Sequence, residues 1–359
     1  NFDKTTASNV MLPEDSRAGG LEIIAPRTNA LELSRLLEYS GILGSLTDAM
    51  AVNIDCLGYE LEARHKDEEL TEQQLTARDE EYARLIEFFR NINPDQSFTE
   101  LRYELRIDRE TTGRTGIEVV RNRIGEIEEL VRVPSIYLFM TKRDQEYTEY
   151  EINVIDEITG EYKTKIKRKR FRRYVQLVNG KKVFFKEFLD PRPISYKDGS
   201  ILSSSNPNEE ANELIYLKVF CPHDIYGQPR WYGNRIKIYG LRKSEEVNYF
   251  YFDNRAVPEF MITVSGGTLT SDSIQTIKNA FKQIKGTQNA GRSMVLEAVP
   301  FMDKNVAPGD QHNAVKIDVK PLTMETVQDA LFTDYQKNAK VDARMSFRLP
   351  PLIVGDSSD

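Results

Sequence analysis

"NYFYFDNRAVPEFMITVSGGTLTSD", residues 248–272, changes character three times along its length. It begins aromatic and helix-like, crosses Pro258, alternates through "EFMITV" as a strand does, and closes on two glycines and a run of hydroxyls. Upstream, Tyr232, Ile236, Tyr239, Val247 and Phe250 keep helical spacing between Pro229 and about Asp253, with Lys243 in the one gap. At ~1.5 Å per residue such a helix spans about 40 Å. Downstream, Thr270 or Ser271 is placed to cap a second helix carrying Ile274, Ile277, Phe281 and Ile284, which Gly286 closes. "SMVLEAV" and "VKIDV" read as strands, and Thr323 then stands to cap another long helix with Val327, Leu331, Tyr335 and Ala339 every four residues. The quoted stretch is thus the point where a small strand-helix-strand module, residues 256–322, enters between two long helices.

The rest of the chain reads as a larger α+β unit. Residues 1–27 form an irregular arm, and residues 28–54, "TNALELSRLLEYSGILGSLTDAMAVNI", form a helix kinked or closely packed at Gly41 and Gly44. A short strand is expected over 55–62, and a charged helix from about Thr71 to Asn91, stopped by Pro94. From about Leu101 to Ile194 the pattern is mainly short strands: "GIEVVRNRIGEIEELVRV" and "YEINVIDEITGEYKTKI" alternate about polar turns, and Asn179-Gly180 is a strong hairpin signal. A polar loop over 198–213 leads to a strand, "LIYLKVF", and then to "CPHDIYGQPRWYG".

The formal net charge of −7 argues against a protein that coats nucleic acid through its overall field, but does not exclude a repulsive lining around one. Cys56 and Cys221 are the only cysteines, so no disulfide framework is available. No apolar run reaches the roughly 20 residues a membrane helix needs. The chain starts at Asn1 and stops after "LPPLIVGDSSD", and both ends are expected to belong to a longer polypeptide.

Few residues suggest chemistry. "GTQNAGRS", Gly286–Ser293, has phosphate-loop spacing, but Arg292 replaces the lysine, and the stretch follows a helix and precedes a strand, the reverse of the order such a loop needs. "CPHD" offers Cys221, His223 and Asp224 close together; catalytic Cys–His pairs usually converge from distant positions, and a structural turn is the plainer reading. His65, His223 and His312 have no zinc-ligand spacing, and no cofactor is expected. "KIKRKRFRR", 165–173, places seven basic residues in nine. It reads either as a contact with phosphates or an acidic partner, or as a charged edge strand protected from aggregation. The aromatics of the first long helix leave one face for the subunit's own core and another for a neighbour.

Five ordered segments, "VFFKEFLDPRPIS" (183–195), "DIYGQPRWYG" (224–233), "NYFYFDNRAVPEFMITVSGG" (248–267), "GTQNAGRSMVLE" (286–297) and "MSFRLPPLIVG" (345–355), with "MAVNIDCLGYELE" near the start, resemble tailed-bacteriophage portal proteins of the PBSX type. The similarity runs from about residue 28 to the end. It implies a homo-oligomeric ring, usually a dodecamer, at the unique portal vertex of the virion, assembled in the host cytoplasm. The large terminase drives double-stranded DNA through its channel, and the DNA later leaves toward the tail. It also implies a wing over 28–225, stem helices over 226–254 and 323–347, a clip over 255–322, and the start of a channel-loop segment over 348–359, with the crown absent from this chain. Such subunits are not enzymes and carry no metal or cofactor. The implied partners are the subunit itself, the large terminase, head-completion or adaptor proteins, the major capsid protein and DNA; no membrane is involved.

On this reading Arg235, Lys237, Lys337 and Lys340 are candidate DNA-channel contacts, against the plainer reading of exposed helix charges or inter-subunit pairs. Lys165, Lys167, Arg168, Lys169, Arg170, Arg172 and Arg173 are candidate wing contacts to capsid protein or DNA. Ser265, Gly266, Gly267, Lys278, Lys282 and Lys285 are candidates for the docking face of the clip. The alternatives are a nucleic-acid-processing enzyme using Cys221 and His223 or the 286–293 loop, and a head-tail connector ring of another type.

Overall fold

The structure is a computed structural model and describes residues 17–18, 21–62, 71–155, 162–254, 260–265, 267–272, 274–275, 279, 298–300, 316–321 and 325–355. The chain divides into two compact units, Asn1–Arg235 with Ala343–Asp359, and Ile236–Asp342.

In the first unit, strands β1 (Arg17–Ala18) and β2 (Leu21–Ile24) precede helices α1 (Ala30–Tyr39) and α2 (Gly41–Asp55). The sequence suggested one helix here; the chain breaks it at Ser40, which sits in extended geometry and accepts the Leu43 amide with its hydroxyl. The break satisfies the new helix's own amides, so it costs little. No close approach drives it, because a Cβ at Gly41 would meet nothing within 4 Å. Residues 56–62 form a turn and irregular chain, not the expected strand. Their alternation serves aromatic packing: the Tyr59 ring lies 5.7 Å from Phe89 and 5.3 Å from Phe98.

Helix α3 (Glu72–Arg90) spans the charged helix expected from about Thr71 to Asn91, and a Thr71–Gln74 capping box starts it. Helix α4 (Phe98–Thr112) was not legible in the apolar pattern, and the stretch after Leu101 that read as strand is its continuation. Its inward face is polar: Asp108, Glu110, Thr111 and Thr112 are buried beside Leu101. Asp55 of α2 accepts from Arg106 at 2.7 Å and lies 3.1 Å from Arg102, which ties the two helices together. The Ser97–Glu100 capping box and Gly113 in left-handed geometry mark both ends of α4.

The strands β3 (Arg114–Arg121), β4 (Ile127–Val133), β5 (Leu138–Thr141), β8 (Arg173–Val178), β9 (Lys181–Glu187) and β10 (Glu213–Lys218) complete an eight-stranded sheet of order β1-β2-β5-β8-β9-β10-β3-β4. Its pairings are antiparallel except β9 with β10. The β8–β9 turn is Asn179-Gly180, both at positive φ (49° and 78°), which matches the strands' right-handed twist. Core strands bury both faces: Leu138, Met140, Tyr174 and Phe185 pack on one side, Phe139, Val175 and Phe184 on the other. Among the described residues, strands β6 (Thr148–Ile155) and β7 (Tyr162–Lys169) pair only with each other.

Helix α5 (Arg235–Asn254) follows a 3-10 turn at Tyr232–Asn234, so the helix begins later than Pro229. In the second unit, β11 (Phe260–Ser265) pairs antiparallel with β14 (Lys316–Pro321), and β12 (Gly267–Leu269) with β13 (Ala298–Pro300). Ser271, Asp272, Ile274, Gln275 and Asn279 are helical, with the Ile274 amide on the Thr270 carbonyl. Helix α6 (Glu325–Phe347) is the second long helix. Pro258, Thr323 and the 286–293 loop lie outside the described residues.

Gly113 joins α4 to β3 where no side chain fits: a Cβ there would stand 2.3 Å from the Gln228 carbonyl carbon, at a φ of +79°. Gly113→Ala is therefore expected to cost about 3 kcal/mol, strain and overpacking together. Gly125→Ala, also at positive φ but in open space, should cost about 1 kcal/mol. Urea unfolding midpoints compare the two.

Candidate functional site

The segment "DIYGQPRWYG" lies against the α4–β3 corner. Asp224 accepts the Tyr226 amide at 3.0 Å, and the buried Tyr226 hydroxyl donates to the Ile24 carbonyl at 2.7 Å while accepting the Met140 amide at 2.8 Å. Gly227 meets the Gly113 carbonyl so closely that a Cβ would overlap it. Arg230 holds the fully buried Glu110 carboxylate, with Nε 2.7 Å from Oε2, and the Trp231 indole donates to the Glu110 carbonyl at 2.8 Å. The Arg114 guanidinium stacks 4.4 Å over the Tyr226 ring. Burial pushes the phenols of Tyr174, Tyr216 and Tyr226 up, that of Tyr226 to about 12.

"VFFKEFLDPRPIS" forms a second knot. Asp144 takes Arg173 at 2.6 Å and Arg192 at 2.8 Å, and Arg192 also holds Asp190 at 2.6 Å. Arg173, expected as a wing contact, is 4% exposed and belongs to this core knot, out of reach of any partner. Arg172 is half-buried, its amide donating to Glu187. Lys169 pairs with Glu187 at 3.0 Å and Arg168 with Glu149 at 2.6 Å, while Arg170 lies 4.5 Å over the Tyr147 ring. Lys165 and Lys167 stand exposed on β7.

In the second unit, α5 and α6 run antiparallel. Lys237 pairs with Asp342, and Gln336 donates to Ser244 at 3.1 Å. Gly240 lets the Tyr335 ring approach, since a Cβ would stand 2.1 Å from its hydroxyl oxygen. Ile238, Leu241, Ser244 and Ala339 are buried. The apolar stripe legible in the sequence is therefore not the buried one: Ile236, Tyr239 and Val247 are 68%, 45% and 52% exposed. The buried face escaped notice because Gly240 and Ser244 interrupt it. Of the channel candidates, Lys237 is paired, and Arg235, in the first unit, stacks 4.2 Å over Tyr232. Lys337 and Lys340 are exposed one turn apart on α6. Among the clip candidates, Ser265 is exposed at the end of β11 and Gly267 opens β12; Gly266, Lys278, Lys282 and Lys285 lie outside the described residues.

Of the enzyme candidates, Cys221 and His223 do not form a catalytic pair, and the 286–293 loop lies outside the described residues. The Cys221 thiol is buried and faces the Gln228 side-chain oxygen at 3.7 Å, while His223 is exposed. A cleft of about 510 Å³ beside Cys56 is lined by Glu100 and Glu104, but Glu100 is spent on its capping box and Glu104 accepts Gln96. Among the described residues no helix is long and apolar enough to cross a membrane.

Comparison with known proteins places this architecture. The sequence model of the family described as "Phage portal protein" matches residues 61–303. The chain is 33% identical over 344 residues to the phage-like element PBSX protein XkdE of Bacillus subtilis strain 168, covering 95% of this chain and 68% of that protein. It is also 33% identical over 361 residues to the uncharacterized protein YqbA of the same strain, covering 99% and 69%. The chain belongs to the phage portal protein family. Its fold is shared with a chain in the neck of an empty gene transfer agent particle computed with C6 symmetry, at TM-score 0.57, 18% identity, and coverage of 96% of this chain and 75% of that one. A chain in the virion of the native gene transfer agent particle gives TM-score 0.54 at 17% identity, over 94% and 73%.

Tyr226 supplies a test of the corner it fills. Tyr226→Phe leaves the Met140 amide without its acceptor and is expected to cost about 2 kcal/mol. The unfolded phenol ionises near pH 10, whereas the folded one holds its proton to about 12. The stabilising effect of the protonated hydroxyl is thus fully present below pH 10 and lost as pH rises toward 12. Denaturant titrations across that window should show a shallower alkaline fall for the variant than for the wild type.

Proposed function

We propose that this chain is the subunit of a ring at the portal vertex of a phage head, through which DNA is packaged and later ejected. The observation that carries the ring is the second apolar stripe of α5. At 3.6 residues per turn, Ile236, Tyr239, Lys243 and Val247 fall on one narrow face, and Ile238, Leu241 and Ser244 on another roughly 150° away. The second face is taken by α6 of the same chain, while on the first Lys243 lies 5.5 Å over the Tyr239 ring and Ile236, Tyr239 and Val247 stay exposed. A helix apolar on two faces calls for two neighbours. A second copy supplies the missing one through a heterologous contact, and repetition of that contact closes a ring when the rotation divides the circle.

Around that ring, residues 28–225 serve as wing, 226–254 and 323–347 as stem, and 255–322 as clip, where Ser265, Gly266, Gly267, Lys278, Lys282 and Lys285 would meet terminase and adaptor proteins. The subunit itself has no catalytic role, and the motor's ATP hydrolysis is the terminase's. A net charge of −7 suits a conduit that repels phosphates and lets a duplex slide, with Lys337 and Lys340 giving weak, salt-sensitive contacts.

The double substitution Tyr239→Asp and Val247→Asp places two charges in the proposed contact. Native mass spectrometry should show rings of the wild type and single chains of the variant. The variant's unfolding midpoint should move by no more than about 0.5 kcal/mol, as expected of exposed positions. Rings that survive both charges would remove α5 from the subunit contact.

A further inference from the structure

The hairpin β6–β7 sorts the basic run of the sequence onto one face. In an antiparallel pair, directly opposed residues project to the same side of the ribbon. The register sets Thr148 opposite Lys169, Tyr150 opposite Lys167, Ile152 opposite Lys165, and Val154 opposite Lys163. All four lysines of β7 therefore share one face with these neutral β6 residues. Glu149, Glu151 and Asn153 occupy the other face with Arg168, Ile166 and Thr164, and there Arg168 is neutralised by Glu149. At the root, Lys169 is held by Glu187, Arg170 stacks on Tyr147, and Arg143 donates to the Arg170 carbonyl. Among the described residues Lys165 and Lys167 have no carboxylate within ion-pair distance.

We propose that this lysine face binds the phosphate backbone of double-stranded DNA, without regard to sequence, as a second contact apart from the channel. The proposal rests on the portal reading for its setting but not for its chemistry. Alternate residues of a strand stand roughly 6.8 Å apart, and phosphates two nucleotides apart on one DNA strand, at about 3.4 Å per step, advance the same distance along the helix axis. Ammonium groups act as point charges and need no fixed geometry, which suits a sliding or variable duplex. A protein partner fits the face less well: lysine is depleted in protein interfaces, and the apolar residues here, Tyr150, Ile152 and Val154, are half-buried, Tyr150 with its ring 5.5 Å from Phe171. A two-stranded ribbon also matches the width of the major groove, so backbone contact on both sides is sterically open.

The test uses the full chain, a short random-sequence DNA duplex as probe, and a salt series. The variant Lys165→Gln/Lys167→Gln should bind more weakly at low salt, and its plot of log affinity against log salt should be shallower by about 2 for each hairpin engaged. Glu149→Gln, on the opposite face, should bind at least as tightly as the wild type. Native mass spectra of the same samples separate the two readings. Rings with unchanged DNA binding in the lysine variant overturn the hairpin proposal and leave the portal reading standing; single chains that still show the shallower slope overturn the ring and keep the hairpin. A lysine variant that binds DNA normally but fails to enter heads would assign the face to the capsid protein and also overturn the proposal.

Discussion

The first unit depends on one buried junction, the carboxylate of Glu110 held by Arg230 while its backbone carbonyl takes the Trp231 indole. Glu110 lies on α4 and Arg230 and Trp231 lie just before α5, some 120 residues later. A buried pair of this kind gains little over water, but removing one partner strands the other, so the segment has one place it can lie. Gly113 and Gly227 extend the constraint to the backbone, where their approach leaves no room for any side chain. Tyr226 then reaches from the same segment to β2 and β5. A motif that reads in sequence as a generic turn with aromatics is thus the clamp that fixes where the chain leaves the first unit.

The second unit shows a related economy in its paired helices. Gly240 and Ser244 give up apolar area on the face toward α6 to allow the close approach of Tyr335 and a hydrogen bond from Gln336. Ile236, Tyr239 and Val247 of α5 are turned outward instead. Single exposed apolar side chains need no explanation, but a row along one helix, opposite a face already filled, has the form of an incomplete interface.

Much of this was legible in the sequence, and the failures have physical causes. The hairpins at 114–133, 148–169 and 173–187 and the long helices were readable because their turns and periodicities are local. Helix α4 does not show in the apolar pattern because its buried face carries Asp108, Glu110, Thr111 and Thr112, the two carboxylates being held by Arg132 and Arg230 far away in sequence. Its Ser97 and Glu100 box and its closing Gly113 were the available signals. Residues 28–54 read as one helix because a serine cap inside an apolar stripe leaves the periodicity nearly intact. The basic run at 165–173 was visible as charge, but only strand register separates the lysines of one face from Arg168, and only the fold shows Arg173 buried on Asp144. The direction of the α5 stripe could not be read at all, since apolar spacing does not say which of two faces meets the chain's own helix.

The most direct measurement is cryo-electron microscopy of the purified, assembled protein. The expected result is a closed ring with an axial channel, in which Ile236, Tyr239 and Val247 of each subunit are covered by its neighbour. A two-fold dimer that buries the same stripe face to face, or single chains that leave it in solvent at every concentration, would contradict it.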